Sequence, residues 1–519
     1  RDPAETLRVV EARDFGSDLL LKDVQARVVA VLRMAEALSP KYHVVVANPP
    51  YMGGKNMNLI VSDFLKANYA DMKSDLFSAF MERNTQMAVE GAHLGFMTPF
   101  VWMFISTYQP LREFLLQEKS ISSLIQLEYS AFEGATVPIC AFTLINQHLP
   151  EMKGGFIKLS EFRGAANQAP KALEAIRNEN CGWFFRASTK DFERIPGSPI
   201  SYWLNEKIYK LYENSLIGDL NAIKEGVGTR NDDVFMKMCW EVSSGNIGRD
   251  RRWILTDKAG GFRKWYMGPD FLMDWEDDGY RIKNYRNPDG SLKSRPQNLK
   301  YMFKSGATWG FVGSGITSFR WRPEGYGFTS AAISIFGKSS FDTLAFLNTN
   351  LMRLLLQVRG GTLNVVSGVV SDLPALSVAP QDQSRLRSNT ETLLEGAKTD
   401  WAAFEPAWDF TTLPLLSPDH RGETLADSYA TLRAHWQSMT DEMQRLEEEN
   451  NRIFIDAYGL QDELTPEVPL EEITLTCNPA YRYGVKGSED DRETRLCADT
   501  MTEFLSYAVG CMFGRYSLD

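Results

Sequence analysis

The sequence predicts an α/β domain at its start, then a mixed α+β domain, then a helical C-terminal region. Three observations carry this. Val44, Val45, Val46 and Ala47 form an unbroken apolar run, rich in β-branched residues, that stops at Asn48-Pro49-Pro50-Tyr51, as a strand buried on both faces of a parallel sheet would. Between residues 249 and 330, short β-like runs are separated by Gly, Pro and Asn turns. From 385 to the end the chain is mainly helical in pattern and acidic.

In order, residues 1 to about 40 read as an extended stretch (LRVVEARDFGSDLLL) and an amphipathic helix from Val24 to Leu38. After the 44–47 strand and its loop, Lys73-Ser74-Asp75-Leu76-Phe77 opens a helix, with Asp75 placed as its N-cap. Gly91 to Pro99 reads as a turn and a buried strand. WMFISTYQPLREFLL follows as a helix with Arg112 on its polar side, and Ile121 to Leu127 as another strand. Phe132 stands just before the apolar strand ICAFTLIN. A Trp-Phe-Phe strand (183–185) and a helix from Trp203 to Tyr212 close a first domain predicted to span 1–222. A second domain (223–380) ends in a helix, a Gly-Gly break, a strand and a Pro-terminated turn. In the third (381–519), Leu432, Trp436, Met439, Met443, Leu446 and Ile453 fall at three- and four-residue steps, a bundle-helix stripe.

A chain of 519 residues exceeds one ordinary core. No stretch of 18 apolar residues predicts a membrane span. Six cysteines lie far apart with no C-x-x-C pair, which reads as reduced thiols in a cytoplasmic protein rather than a disulfide framework or zinc site. The five histidines are scattered, and no metal site is expected. No P-loop is present, and Pro269-Asp270 lacks the lysine spacing of a nuclease cluster. The net charge is −11, yet residues 224–324 hold 18 Lys and Arg against 13 Asp and Glu. Within them basic residues alternate with aromatics at Arg251-Arg252-Trp253, Arg263-Lys264-Trp265 and Arg320-Trp321-Arg322. Cations neutralise phosphates and arginine reads guanine edges, so Arg251, Arg252, Arg263, Lys264, Arg320 and Arg322 are the candidate DNA contacts.

The loop after the first strand suits one kind of chemistry. Prolines fix φ near −65° and carry no N–H, so Pro49 and Pro50 hold a short rigid turn with no internal donor. The Asn48 side-chain oxygen and the Pro49 carbonyl can accept both hydrogens of one exocyclic amine. That pulls the nitrogen towards a pyramidal geometry and frees its lone pair, while Tyr51 offers a ring to the planar base. In an open α/β sheet, ligands sit beyond the carboxyl ends of the strands, where this turn falls.

Asn-Pro-Pro-Tyr after a hydrophobic strand resembles motif IV of the S-adenosylmethionine-dependent amino methyltransferases, most often the adenine-N6 DNA enzymes. The resemblance implies a Rossmann-like methyltransferase core, with Asn48, Pro49, Pro50 and Tyr51 catalytic. Asp75 and Phe77 match motif V, which lines the cofactor pocket. Phe132 matches motif VIII, whose aromatic stacks on the flipped base opposite the tyrosine. GSGITSFRWRPEG and the spaced Asn364, Gly368, Leu373 and Pro374 resemble the target-recognition domain of large restriction-modification methyltransferases. With the GRYSLD ending and the long helical tail, the sequence resembles the PglX-type methyltransferases of BREX phage-defence systems. The family's Gly-rich cofactor loop does not precede Asn48, so that part of the core is expected upstream of Arg1, with more protein after Asp519. The implied partners are S-adenosylmethionine, double-stranded DNA, other phage-defence proteins and a phage DNA-mimic inhibitor. Three alternatives stay open: the methylase part of a combined restriction-modification enzyme, a non-catalytic specificity subunit, and a protein glutamine methyltransferase.

Overall fold

The computed structural model describes residues 2–129, 131, 137–311, 316–338, 340–358 and 365–515. The chain divides into two compact units, essentially residues 1–209 and 210–519. The stretches 223–380 and 381–519, which the sequence suggested as two domains, belong to one unit.

The first unit is built on a six-stranded sheet of β1 (Tyr42–Ala47), β2 (Ala88–Pro99), β3 (Ser120–Gln126), β4 (Ile139–Ile145), β5 (Lys153–Lys158) and β6 (Phe184–Ser188), ordered β1-β2-β4-β3-β5-β6. β1 runs parallel to β2 and β3 to β5, while β2–β4, β3–β4 and β5–β6 are antiparallel, so the sheet is mixed. Helices α1 (Pro3–Glu11), α2 (Leu19–Ala37), α3 (Leu59–Asn68), α4 (Leu76–Gln86) and α5 (Gln109–Glu118) complete the part that matters for the site. Of residues 7–21, expected to be extended, 7–11 and 19–21 are helical: at the start of α1 Asp2 caps the Ala4 N–H and Pro3 fits the first turn, where its missing N–H costs nothing.

Two further expectations change. β1 is an edge strand, not one buried on both faces; Val44 is 61% and Val46 78% exposed. No residue of α2 is buried. Arg112 is not on a polar face but fully buried, donating to the carbonyls of Trp102 (2.8 Å), Ile105 (2.9 Å) and Gly197 (2.9 Å). One guanidinium thereby ties together three backbone carbonyls from separate turns, which the pattern of apolar spacing does not reveal. The core beneath joins Phe77, Leu94, Phe96, Trp102, Leu115 and Phe142.

The second unit holds two four-stranded sheets. One is β13-β9-β10-β8, from Gly327–Phe328, Trp253–Asp257, Phe271–Asp274 and Met236–Met238; the other is β12-β11-β14-β7, from Arg320–Arg322, Gly306–Gly310, Ala332–Phe336 and Ala222–Lys224. Helices Pro380–Ala402, Leu425–Tyr458 and Glu489–Met512 belong to the same unit. The expected stripe holds for Leu432, Trp436, Met443, Leu446 and Ile453, all buried. Val365 and Val366 form no strand, and Asn364 lies outside the described residues.

Four of the six candidate DNA contacts are core residues, which corrects their assignment. Arg263 bonds Asp400 at 2.7 Å, and the same carboxylate accepts from the N–H groups of Thr476 (2.7 Å) and Cys477 (2.9 Å). Lys264 pairs with Glu447, which also accepts from the Trp265 indole at 2.7 Å. Arg320 and Arg322 are 2% and 3% exposed, each 3.9 Å from Asp257. Arg322 also lies 4.5 Å over the Phe328 ring, and burial pushes its guanidinium down to about 10. The interleaved aromatics mark cations held inside by carboxylates and rings, not a surface offered to phosphate. Arg251 and Arg252 stay exposed, Arg252 pairing with Asp274 at 3.1 Å.

Asp400→Ala strands Arg263 and two N–H groups, so a loss of about 3–5 kcal/mol is expected. Urea denaturation of the variant against the parent measures it; a loss below about 1 kcal/mol would make the pair incidental.

Candidate active site

The site forms where β1 and β2 end and α4 begins. Asn48 follows the last residue of β1 and is exposed, whereas Pro49 is buried beneath it. The Tyr51 hydroxyl lies 3.1 Å from Asn48 Oδ1 and 3.1 Å from the Met97 carbonyl on β2. Its single proton therefore serves either acceptor. When it turns to Met97, both lone pairs of Asn48 Oδ1 are free for an incoming donor. The Tyr51 ring stays 39% exposed, with its edge set at 89° to Phe77, centroids 6.5 Å apart. Burial raises the Tyr51 phenol above its ordinary range, with Cys140 adding to the shift, so the hydroxyl keeps its proton.

The turn is fastened to α4 by Asp75. Its Oδ1 accepts from the Met52 N–H at 2.9 Å and from the Phe77 N–H at 3.3 Å. Two backbone bonds reinforce this, Leu76 N–H to the Met52 carbonyl (3.1 Å) and Gly54 N–H to the Ser74 carbonyl (3.1 Å). Desolvation raises the Asp75 carboxyl, and the N–H groups of Met52, Phe77 and Leu76 act against that rise. Asp75 is therefore the helix cap expected from sequence and, in addition, the clasp of the Asn48–Tyr51 turn.

The two residues expected to line a cofactor pocket differ. Asp75 keeps its second oxygen, Oδ2, without a hydrogen bond among the described residues and facing Gly53, where a Cβ would lie 3.6 Å from it. One acceptor is thus left for a polar group of a bound molecule. Phe77 is 1% exposed, beneath Tyr51 and 5.4 Å from the Tyr108 ring, so its expected cofactor contact is corrected to core packing. Tyr108, which the sequence reading did not single out, adjoins this cluster; burial and the nearby Asp75 charge raise its phenol to about 12. Phe132 lies outside the described residues.

Comparison with known proteins follows the same direction. Residues 19–132 match the family described as Eco57I restriction-modification methylase. The adenine-specific methyltransferase PglX of Lacticaseibacillus casei strain Zhang is 33% identical over 510 residues, 94% of this chain. Over nearly its whole length the chain is similar to PglX-type methyltransferases. The adenine-specific methyltransferase BrxX of Escherichia coli O9:H4 strain HS is 30% identical over 515 residues, 97% of this chain. The chain spans 41% of the length of each of these two relatives. Among solved structures, the Type IIL restriction-modification enzyme MmeI in complex with DNA is similar in fold, with a TM-score of 0.51 at 10% identity over 83% of this chain and 57% of that one. Among the described residues no helix is long and apolar enough to cross a membrane.

Replacing Asp75 by Ala removes the cap and the clasp, with an expected loss of about 1–2 kcal/mol in denaturant unfolding. Asp75→Asn keeps an acceptor oxygen and should lose less than half of that. Equal losses would show that the charge, not the hydrogen bonds, holds the turn.

Proposed function

We propose that this chain is the base-modifying and DNA-contacting part of an S-adenosylmethionine-dependent DNA adenine-N6 methyltransferase that marks host DNA in a BREX-type defence system. The observation that carries the reading is the exposed Asn48 at the carboxyl end of β1, with its acceptor oxygen held by Tyr51 in a turn that Asp75 clasps. The relatives' designation as adenine-specific methyltransferases and the DNA bound by MmeI support it.

An adenine must leave the helical stack to reach this turn, at a cost of a few kcal/mol. Stacking on the exposed Tyr51 ring returns about 1–3 kcal/mol, and Phe132 is proposed as the second face of that clamp. Asn48 Oδ1 and the Pro49 carbonyl take the two amine hydrogens, which localises the nitrogen lone pair outside the ring system. When bound, S-adenosylmethionine supplies the electrophilic methyl carbon, with Asp75 Oδ2 as the residue here that would hold a polar group of it. The nitrogen–carbon bond forms as the carbon–sulfur bond breaks, and the amine then loses a proton to solvent. No pre-attack base is needed, in keeping with a phenol at Tyr51 that holds its proton. A combined restriction-modification enzyme is the second reading, favoured by the family match over residues 19–132.

Sequencing of host DNA for modified adenines tests the function. The native full-length polypeptide should methylate one non-palindromic site, and Asn48→Ala should abolish this while duplex binding stays within about threefold. An equal collapse of binding would make Asn48 structural, and unmodified adenines with the parent protein would refute the reading.

A further inference from the structure

Resting on the DNA reading above, we propose that the hairpin from Tyr285 to Arg295, with Arg230 beside its base, grips the sugar-phosphate backbone of duplex DNA. Residues 281–304 hold seven Lys and Arg and a single acid, in a chain of net charge −11. That acid, Asp289, is occupied within the turn, accepting from the Ser291 N–H (2.9 Å) and hydroxyl (2.5 Å). These two donors hold its carboxyl below the usual range.

The cations stand on a rigid stem. Arg286 bridges Leu292 in antiparallel fashion, the Asn287 N–H donates to the Ser291 carbonyl (2.8 Å), and the Lys293 N–H to the Tyr285 carbonyl (2.8 Å). Pro288 and Gly290, at φ +84°, form the turn. The base is fixed by Tyr285, whose ring meets Phe235 edge to face at 5.1 Å and whose hydroxyl accepts from the Asn231 amide at 3.1 Å. Arg295 and Gly228 exchange two backbone hydrogen bonds, of 2.7 and 2.9 Å. A Cβ on Gly228 would lie 3.2 Å from Arg295 Cβ and 3.9 Å from Arg230 Nε, so the two arginines flank one glycine. Arg230 itself sits at φ +59°, a left-handed conformation that is unfavourable for a non-glycine residue. Strain of that kind is retained where the surroundings impose it, commonly at a working surface.

Arg230, Arg286, Lys293 and Arg295 are all exposed. Arg230, Arg286 and Lys293 form no ion pair among the described residues, and Arg295 has only a 3.9 Å approach to Glu225. They are therefore cations without the carboxylate partners that occupy Arg263, Lys264, Arg320 and Arg322. A regular polyanion fits this surface, because a pre-ordered row of cations loses little side-chain freedom on contacting successive phosphates.

The test is fluorescence anisotropy of the 519-residue chain with a labelled duplex across a salt series. Arg286→Gln, Lys293→Gln and Arg295→Gln together should weaken binding at least tenfold and lower the salt slope by about 2–3. An equal charge change on the exposed Arg13, Lys22 and Arg27 should leave the slope unchanged. Arg286→Lys and Arg295→Lys, with Lys293 kept, should retain the parent's slope. A hairpin variant with the parent's slope, or a control that falls as far, overturns this proposal while leaving the methyltransferase reading intact. A parent chain that binds single-stranded RNA as well as duplex overturns the choice of ligand, and one that binds no duplex overturns both readings.

Discussion

The Asp75 carboxylate is the constraint on which the arrangement at the end of β1 depends. A loop of Asn, two prolines and Tyr has almost no hydrogen bonds of its own, since neither proline carries an N–H. Its shape comes from outside, through one carboxylate oxygen bound to N–H groups on both sides, at Met52 within the loop and Phe77 in α4. Tyr51 adds a second anchor on the Met97 carbonyl of β2. Three elements thus converge on four residues, and the outcome is an exposed acceptor oxygen at Asn48 over a buried Pro49. Preorganisation of this kind costs nothing at the moment of reaction, which is what two acceptors aimed at one amine require.

The same carboxylate shows how a residue can be structural and functional together. Oδ1 caps a helix and clasps the turn, leaving Oδ2 beside Gly53. Sequence pattern offers the cap and the cofactor role as alternatives, because spacing does not distinguish the two oxygens of one side chain. Phe77 was resolvable only in three dimensions: it follows a cap, as a pocket-lining residue would, but packs fully beneath Tyr51.

Most of the first unit was legible from hydrophobic runs. β2, β3 and β4 fall where apolar stretches bounded by turn residues place them, and the loop after β1 falls where the prolines break the run. What was not legible follows from neighbours distant in sequence. A run of valines reads as a doubly buried strand, but β1 lies at the sheet edge and two of its valines face outward. Arg112 reads as a polar-face residue, because nothing local announces the three carbonyls it satisfies. The basic, aromatic-rich stretches misled for a related reason. Arg263, Lys264, Arg320 and Arg322 find their carboxylates at Asp400, Glu447 and Asp257, and the first two partners are more than 130 residues away. Local charge imbalance is a different signal: of the seven cations between 281 and 304, Arg281 and Lys283 pair with Asp274 and Asp278, while Arg286 and Lys293 form no ion pair among the described residues.

The account's central claim concerns two oxygens and one amine. A structure of the native protein bound to a duplex containing its target would test it most directly. The target adenine should lie outside the helix, its N6 within about 2.7–3.2 Å of both Asn48 Oδ1 and the Pro49 carbonyl, with its ring against Tyr51. An adenine left stacked, or extruded with N6 pointing away from Asn48, would contradict the account.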